Sequence, residues 1–267
     1  MMGRRISRLI KPVRGWSEDL PDPEEEQRVY PRLIRVNEIN DVWMEIPRYV
    51  NYGWGGQWFA AWVSILAFGI LFSLGLFPDF FSDISSFLLG SLLIFPSVSL
   101  VIYIFRSVLF EPRGAPVRFN RKQQKVYVYE YKKSIWPWAR WPVTIKVFDW
   151  ADIQGERVEM SGHADWGHRV YCAVCRPGTY QVADRFVLTW TVGNIHDVYG
   201  LWSACCQYMQ GKAVSDKPLR TDTPPDWTPF RTVRWPEDMD KASRAVPEWS
   251  GAHLTPMAAK TWVCCCK

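Results

Sequence analysis

Two long apolar runs stand out in the pattern of hydrophobic and polar positions. They cover residues 57–77 and 86–105, and neither contains Lys, Arg, Asp or Glu. A helix that crosses the roughly 30 Å hydrocarbon core of a bilayer needs about 20 predominantly apolar residues. The pattern therefore predicts a transmembrane hairpin in segment 51–110, with helices at about 57–77 and 86–108.

The charges that flank these runs predict an orientation. The connection 78–85 has no Lys or Arg, whereas segment 111–148 carries nine of them against two acidic residues. Because short basic flanks stay in the cytoplasm, both termini are predicted to be cytoplasmic. Aromatic residues before the first run, among them Trp43 and Tyr49, fit an interfacial belt.

The N-terminal arm, residues 1–50, has a basic tip (1–14) and an acidic, proline-containing stretch (17–26). Such composition is typical of a flexible segment. The tip is compatible with a contact to anionic lipid or with a cluster that only sets the orientation. The arm is accordingly assigned to the cytoplasm as a separate, loosely structured piece.

After residue 111 the apolar positions alternate with a period of two, which indicates strands. The predicted strands are 117–121, 125–131, 143–150, 153–160, 169–175 and 185–191. An amphipathic helix follows at 194–210, with Asn194 as its cap.

The tail, residues 212–267, is rich in proline and contains scattered tryptophans, but it shows no clear period. Its aromatic residues are therefore expected to drape over a folded surface.

This order predicts the fold class: a membrane α-helical hairpin followed by an α+β domain. For 111–211 it predicts a PH-like antiparallel β-barrel or sandwich, capped by its C-terminal helix. In that arrangement the helix closes one open corner of the sheet.

Residues 116–128 (PVRFNRKQQKVYV) and 148–153 (FDWADI) carry a family resemblance. The chain resembles bacterial membrane proteins that pair a two-helix anchor with a PH-like domain, and is most similar to the DUF6708 group, over roughly 40–211. That group is often associated with type VI secretion and toxin/immunity loci. The resemblance implies a multi-pass protein of the bacterial inner membrane, and no active-site residues can be transferred from it.

Cys172 and Cys175 have the CxxC spacing of zinc sites and dithiol exchange. A structural zinc site needs four ligands, which His163 and His168 would complete. Two cysteines that pack as core residues of one strand are the simpler interpretation. No metal and no cofactor are predicted. The terminal run Cys264–Cys266 is interpreted as an unconstrained tail of thiols, with acylation or metal capture as alternatives.

The most distinctive surface motif is a loop that alternates tryptophans with cations. It lies between two predicted strands and contains six candidate binding residues: Lys132, Lys133, Trp136, Trp138, Arg140 and Trp141. Such a loop could bind anionic lipid, or it could form the hot spot of a protein interface. If the loop instead folds over its own barrel, it has neither of these roles.

No GxSxG, HExxH or phosphate-cradling glycine motif is present, so the chain is not predicted to be an enzyme. Its positive charge lies beside the predicted bilayer, which argues against nucleic acid. The predicted function is a non-enzymatic interaction protein of the inner membrane, an immunity or accessory factor of a type VI secretion locus that binds a toxin or secretion component. An anionic-lipid-binding scaffold and a membrane-active effector are the alternatives, and a homo-oligomer is compatible with each.

Overall fold

A computed structural model describes residues 6–49, 54–73, 83–112, 114–139, 141–162, 165–221, 233–247 and 262–264. Over these residues the chain is an α+β protein with two antiparallel sheets and four α-helices. The strands are β1 (Trp16–Asp19), β2 (Glu38–Ile39), β3 (Trp43–Tyr49), β4 (Gly114–Asn120), β5 (Lys125–Tyr131), β6 (Val143–Asp149), β7 (Ile153–Gly162), β8 (Asp165–Cys175), β9 (Val182–Val192) and β10 (Trp262–Cys264). The helices are α1 (Trp54–Ser73), α2 (Ile84–Phe110), α3 (Ile195–Met209) and α4 (Glu237–Arg244).

The larger sheet has six strands in the order β10-β6-β5-β4-β3-β2. Its residues alternate between two faces, as the pleat of a strand requires. Val117 and Phe119 of β4 enter the main core, whereas Arg118 between them lies on the opposite, outer face. The turn into β5 is set by Asn120, whose Oδ1 accepts hydrogen bonds from the backbone amides of Lys122 and Gln123.

The smaller sheet has four strands in the order β1-β7-β8-β9. Its inner face packs on the inner face of the larger sheet, and the rings of Phe148 and Phe186 stack across the interface with centroids 5.7 Å apart. Helix α3 closes the core, with Trp202 packed against Trp150. Its first turn is capped as expected, because the Asn194 side chain accepts a hydrogen bond from the amide of His196.

The N-terminal arm belongs to this domain and is not a separate piece. Strand β1 pairs with β7, and β3 pairs with β4 along seven residues of each strand. Leu20 and Leu33 are among the most deeply buried side chains. Trp43 and Tyr49, interpreted from the sequence as part of an interfacial belt, are instead the two ends of strand β3, whose Met44 and Ile46 lie in the main core.

The prediction of a membrane hairpin was wrong. Helices α1 and α2 form close to the expected positions, but within the part of the chain that the structure describes neither is long and apolar enough to cross a bilayer. Serines, Pro96 and Arg106 interrupt the apolar sequence of α2, and Arg106 at its C-terminal end binds a loop of the β domain. Most of the connection 78–85 lies outside the described residues.

Two further predictions depended on that hairpin. The inner-membrane, multi-pass localisation with cytoplasmic termini is not supported. The predicted fold class, a membrane hairpin with a PH-like barrel over 111–211, is also wrong, because the strands form two sheets that incorporate β1, β2 and β3 from the N-terminal arm. The α+β character and the order of elements from β4 to α3 remain.

Candidate interaction surface

The loop between β5 and β6, residues 132–142, is called the Trp loop. Its two ends are joined by a hydrogen bond of 3.1 Å from the Lys132 amide to the Pro142 carbonyl. Within it, the Ala139 amide donates to the Trp136 carbonyl at 3.1 Å, and the Trp136 amide donates to Ser134 Oγ at 3.2 Å. The loop backbone is therefore fixed by local hydrogen bonds as well as by its anchors.

Trp141 anchors the loop to the protein. Its side chain is buried at 7% exposure, and its ring makes edge contacts with Tyr103 and Tyr131, at centroid distances of 5.5 and 6.1 Å. The Arg106 guanidinium lies 4.8 Å from the ring centroid, within the range of a cation–π interaction. Trp141 thus joins α2 to the β domain.

Arg106 also fixes the loop backbone. Its guanidinium donates hydrogen bonds to the carbonyl oxygens of Pro137 and, at 3.0 Å, Ala139. Hydrogen bonds from a charged donor are stronger than neutral ones, and the planar guanidinium can bind two carbonyls while it lies over a ring. The last turns of α2 therefore bind the backbone of the Trp loop at Pro137 and Ala139.

The tip of the loop exposes large apolar side chains. Ile135, Trp136 and Trp138 are exposed by 92%, 58% and 54%. Because their backbone is fixed, these side chains are presented to solvent from a defined position. Monomeric proteins rarely expose large contiguous apolar surfaces, and those that occur often mark binding sites.

The predicted cations of the loop have different surroundings. Lys133 forms an ion pair of 2.9 Å with Glu111, which also accepts a hydrogen bond from Ser107. Lys132 is exposed, and Arg140 lies outside the described residues. Of the predicted set, the structure brings Trp136, Trp138, Lys132 and Lys133 to the surface, whereas Trp141 is buried.

Sequence reasoning missed Ile135 and the apolar surface of the two helices. Side chains of α1 and α2 that are more than half exposed include those of Phe59, Trp62, Leu66, Ile84, Leu88, Leu92, Phe95 and Leu100. The signal was present in the apolar runs, but it was interpreted as a lipid-facing surface. The Trp loop contacts the C-terminal end of α2 through Arg106 and Tyr103.

The candidate zinc ligands do not converge. Cys172 faces the main core of the protein, whereas Cys175 packs with Leu9 on the other face of β8. His168 Nδ1 lies 3.0 Å from Arg157 Nη1, and burial together with that cation lowers the pKa of His168. His163 lies outside the described residues. Among those that are described, no group of His, Cys, Asp and Glu has a metal-binding arrangement.

A buried charged network lies beneath the N-terminal arm. The carboxylate of Glu18, on β1, forms ion pairs of 2.6 Å with Arg157 and 2.7 Å with Arg28 and accepts a hydrogen bond from the Tyr199 hydroxyl. Burial raises the pKa of Glu18, but these three donors together lower that pKa to about 2. Glu18 thus has charged or polar partners on three sides, and the network ties β1 to β7 and α3. The acidic segment 17–26, which was predicted to be flexible, therefore contributes a carboxylate that stabilises the fold.

The described residues thus define an α+β domain that presents an aromatic loop at its surface. Residues 94–231 match the family of unknown function DUF6708, and the chain belongs to that family. The match begins within α2 and includes the Trp loop and α3. No curated protein and no solved structure matches the chain significantly. The resemblance drawn from 116–128 and 148–153 is confirmed at the level of the family.

Proposed function

We propose that this chain is a non-enzymatic interaction protein that binds a protein partner through the Trp loop. The observation that carries the proposal is the combination of a fixed loop backbone with two exposed tryptophans at its tip. Tryptophan is enriched among the few residues that dominate protein–protein affinity. A loop that is already ordered loses less conformational entropy when it binds, so more of the contact energy appears as affinity.

The chemistry of the loop indicates the kind of partner surface. Trp136 and Trp138 require an apolar pocket that removes them from water. Lys132 lies exposed at the edge of the loop and favours acidic groups around that pocket, because complementary charges at the rim speed association. The partner surface is therefore an apolar pocket with an acidic border.

The finer identity of the partner rests on the family resemblance alone. It is a toxin or a secretion component encoded at a type VI secretion locus, for which this chain would serve as immunity or accessory protein. The absence of a recognisable catalytic motif from the sequence supports a binding role over an enzymatic one.

The test is co-expression with the products of adjacent genes, followed by affinity measurements with the complex that forms. Replacing Trp136 and Trp138 by Ala should weaken binding at least roughly thirtyfold, since even one hot-spot residue contributes about 2 kcal/mol or more. Trp166 is 75% exposed on β8, and Trp166→Ala is the matched control that should leave the affinity unchanged.

Vesicles that contain anionic lipid separate this proposal from its main alternative. Unchanged protein binding by the double variant contradicts the proposal. If vesicle binding alone depends on Trp136 and Trp138, the lipid-binding scaffold replaces it. Thermal unfolding of each variant shows whether the fold is retained, which is expected because both side chains lie on the surface.

A further inference from the structure

The outer face of the six-stranded sheet is in contact with residues of segment 233–247. We propose that this face is a peptide-binding groove for an acidic helix preceded by a tryptophan, and that residues 233–247 are the chain's own ligand for it. A partner segment with the same pattern would compete for the groove. The outer groove is formed by Trp43, Glu45, Arg118, Asn120 and Gln123, from β3, β4 and the turn that follows β4.

The ligand segment begins with an aromatic anchor. The ring of Trp235 meets Tyr129 edge-on at 5.5 Å, and the Arg118 guanidinium lies 4.5 Å from its centroid. The indole Nε1 donates a hydrogen bond of 3.0 Å to Glu45. Both the apolar body and the polar atom of this half-buried side chain therefore have partners.

An acidic residue of the ligand meets a buried cation. Arg118 is 1% exposed, lies over Trp43 at 4.5 Å and pairs with Glu45 at 2.6 Å. Its remaining guanidinium nitrogen binds Asp240 of α4 at 2.9 Å and donates to Ser243 Oγ. A buried guanidinium is stable only when its donors are paired, so the groove selects a ligand with a carboxylate at this position.

The C-terminal end of the ligand helix is bound through its backbone. The Asn120 side-chain amide donates to the carbonyls of Ser243 and Ala245, both at 2.9 Å. The side-chain amide of Gln123 donates to the Ala242 carbonyl, also at 2.9 Å. The last carbonyls of a helix have no partner within the helix, so these contacts recognise the helix end regardless of its sequence.

The segment has the properties of a ligand more than those of a core element. Helix α4 has eight residues, and Ser243 alone among them is buried. A helix this short is not stable in isolation, so it depends on the groove for its structure. Its contacts lie in a cluster of outer-face residues, which includes Tyr127 and Tyr129, that is separate from the main core.

A labelled peptide of residues 233–247 tests the groove in the full-length chain. Its binding is measured with wild-type chain and with Trp235→Ala chain, in which the tethered segment has lost its anchor. The variant should bind the peptide saturably, and wild type at least roughly tenfold more weakly, because a tethered segment competes at an effective concentration of about millimolar. Absence of saturable binding to the variant overturns the proposal.

Two acidic residues of α4 provide a matched pair of peptides. Asp240 contacts Arg118, whereas Asp238 is exposed. Asp240→Asn in the peptide should reduce affinity roughly tenfold, and Asp238→Asn should have little effect. Equal losses would mean that only net charge matters and would overturn the assigned contact.

Hydrogen exchange on the wild-type chain keeps the proposal testable if the Trp235→Ala chain does not fold. Amides of 233–247 should exchange together and at least roughly tenfold faster than those of β4, because a docked ligand opens without global unfolding. Equal protection of the amides of 233–247 and of β4 would show that the segment unfolds only together with the core, which overturns the proposal.

Discussion

Arg48 and Arg118 lie on opposite faces of the same sheet, and both are buried, yet their partners differ. Arg48 donates to three backbone carbonyls, those of Ala115, Tyr129 and Val187, which belong to both sheets. Arg118 contacts two carboxylates and two indole rings, and half of these belong to α4 or to Trp235 just before it. An arginine bound by backbone fixes a fold, whereas one bound by side chains can recognise a separate segment.

The largest effect is expected at Arg48. Arg48→Met keeps most of the volume but leaves three carbonyls without their donor. Each such group costs about 1–3 kcal/mol, and relief of the buried charge offsets part of the total, so the free energy of unfolding should fall by about 3–5 kcal/mol in urea denaturation. Burial lowers the pKa of Arg48 to about 10, so removal of the charge also relieves a desolvation cost.

Arg48→Lys is the control for the charge. A single ammonium cannot reproduce the fork that reaches three carbonyls, so this variant should be destabilised too, though less than Arg48→Met. An unfolding free energy for Arg48→Met within about 1 kcal/mol of wild type would remove the distinction between the two arginines.

Arg106 extends the comparison to a third arginine, which binds both backbone and an indole. Trp141→Ala should destabilise the protein by about 3 kcal/mol, because it removes a buried aromatic ring and leaves a cavity. The Trp136→Ala and Trp138→Ala variants should each change stability by less than about 0.5 kcal/mol. Thermal or urea unfolding of the three variants checks this order, and similar losses for all three would contradict the division into anchor and tip.

Acid should weaken the domain through Glu18. Its pKa in the folded protein, about 2, lies below its ordinary value of 4.5, so its contribution is complete above pH 4.5 and is lost as the pH falls through 2. That contribution is on the order of 3 kcal/mol. The difference in unfolding free energy between wild type and Glu18→Gln should therefore shrink between pH 5 and pH 2. A difference that stays constant over that range would contradict the assigned network.

The effect of Arg118→Met should be smaller and local. Its loss removes the cation from the Trp235 ring and leaves Asp240 paired with Arg244 alone, so residues 233–247 should lose protection in hydrogen exchange while the strands keep theirs. The global unfolding free energy should fall by about 1.5–3 kcal/mol, the scale of hydrogen bonds to charged groups. Equal loss of protection in β4 and α4 would place Arg118 in the same class as Arg48.

Local periodicity predicted the β-rich half of the molecule well. β5 was predicted with its observed bounds, and α3 was predicted to within one residue at each end, together with its Asn194 cap. Alternation of apolar residues and helix capping are short-range signals, so one sequence suffices to reveal them.

Elements that depend on distant partners were missed. β1 pairs with β7 more than 130 residues along the chain, and the acidic, proline-containing sequence around it has no strand signal of its own. Helix α4 did carry a signal, with three acidic residues in its first turn and Lys241 and Arg244 in its last. This signal was not recognised, because the rest of segment 212–267 shows no helical period.

The sequence predicted which residues form the candidate site, but not which of them are exposed and which are buried. The sequence indicated that the tryptophans of the loop belong together, but the burial of Trp141 depends on Arg106 and Tyr103 of α2, more than 30 residues earlier. The hydropathy of α1 and α2 favoured a bilayer, because a window average does not show that the end of α2 packs on a loop of the β domain.

Oxidative footprinting of the tryptophans tests the central claim most directly. In the free chain, Trp136 and Trp138 should react with hydroxyl radicals while buried Trp141 does not, and addition of the protein partner should protect both while exposed Trp166 stays reactive. Mass spectrometry reports each residue separately. Continued reactivity of Trp136 and Trp138 in the complex would contradict the assignment of the Trp loop as the binding surface.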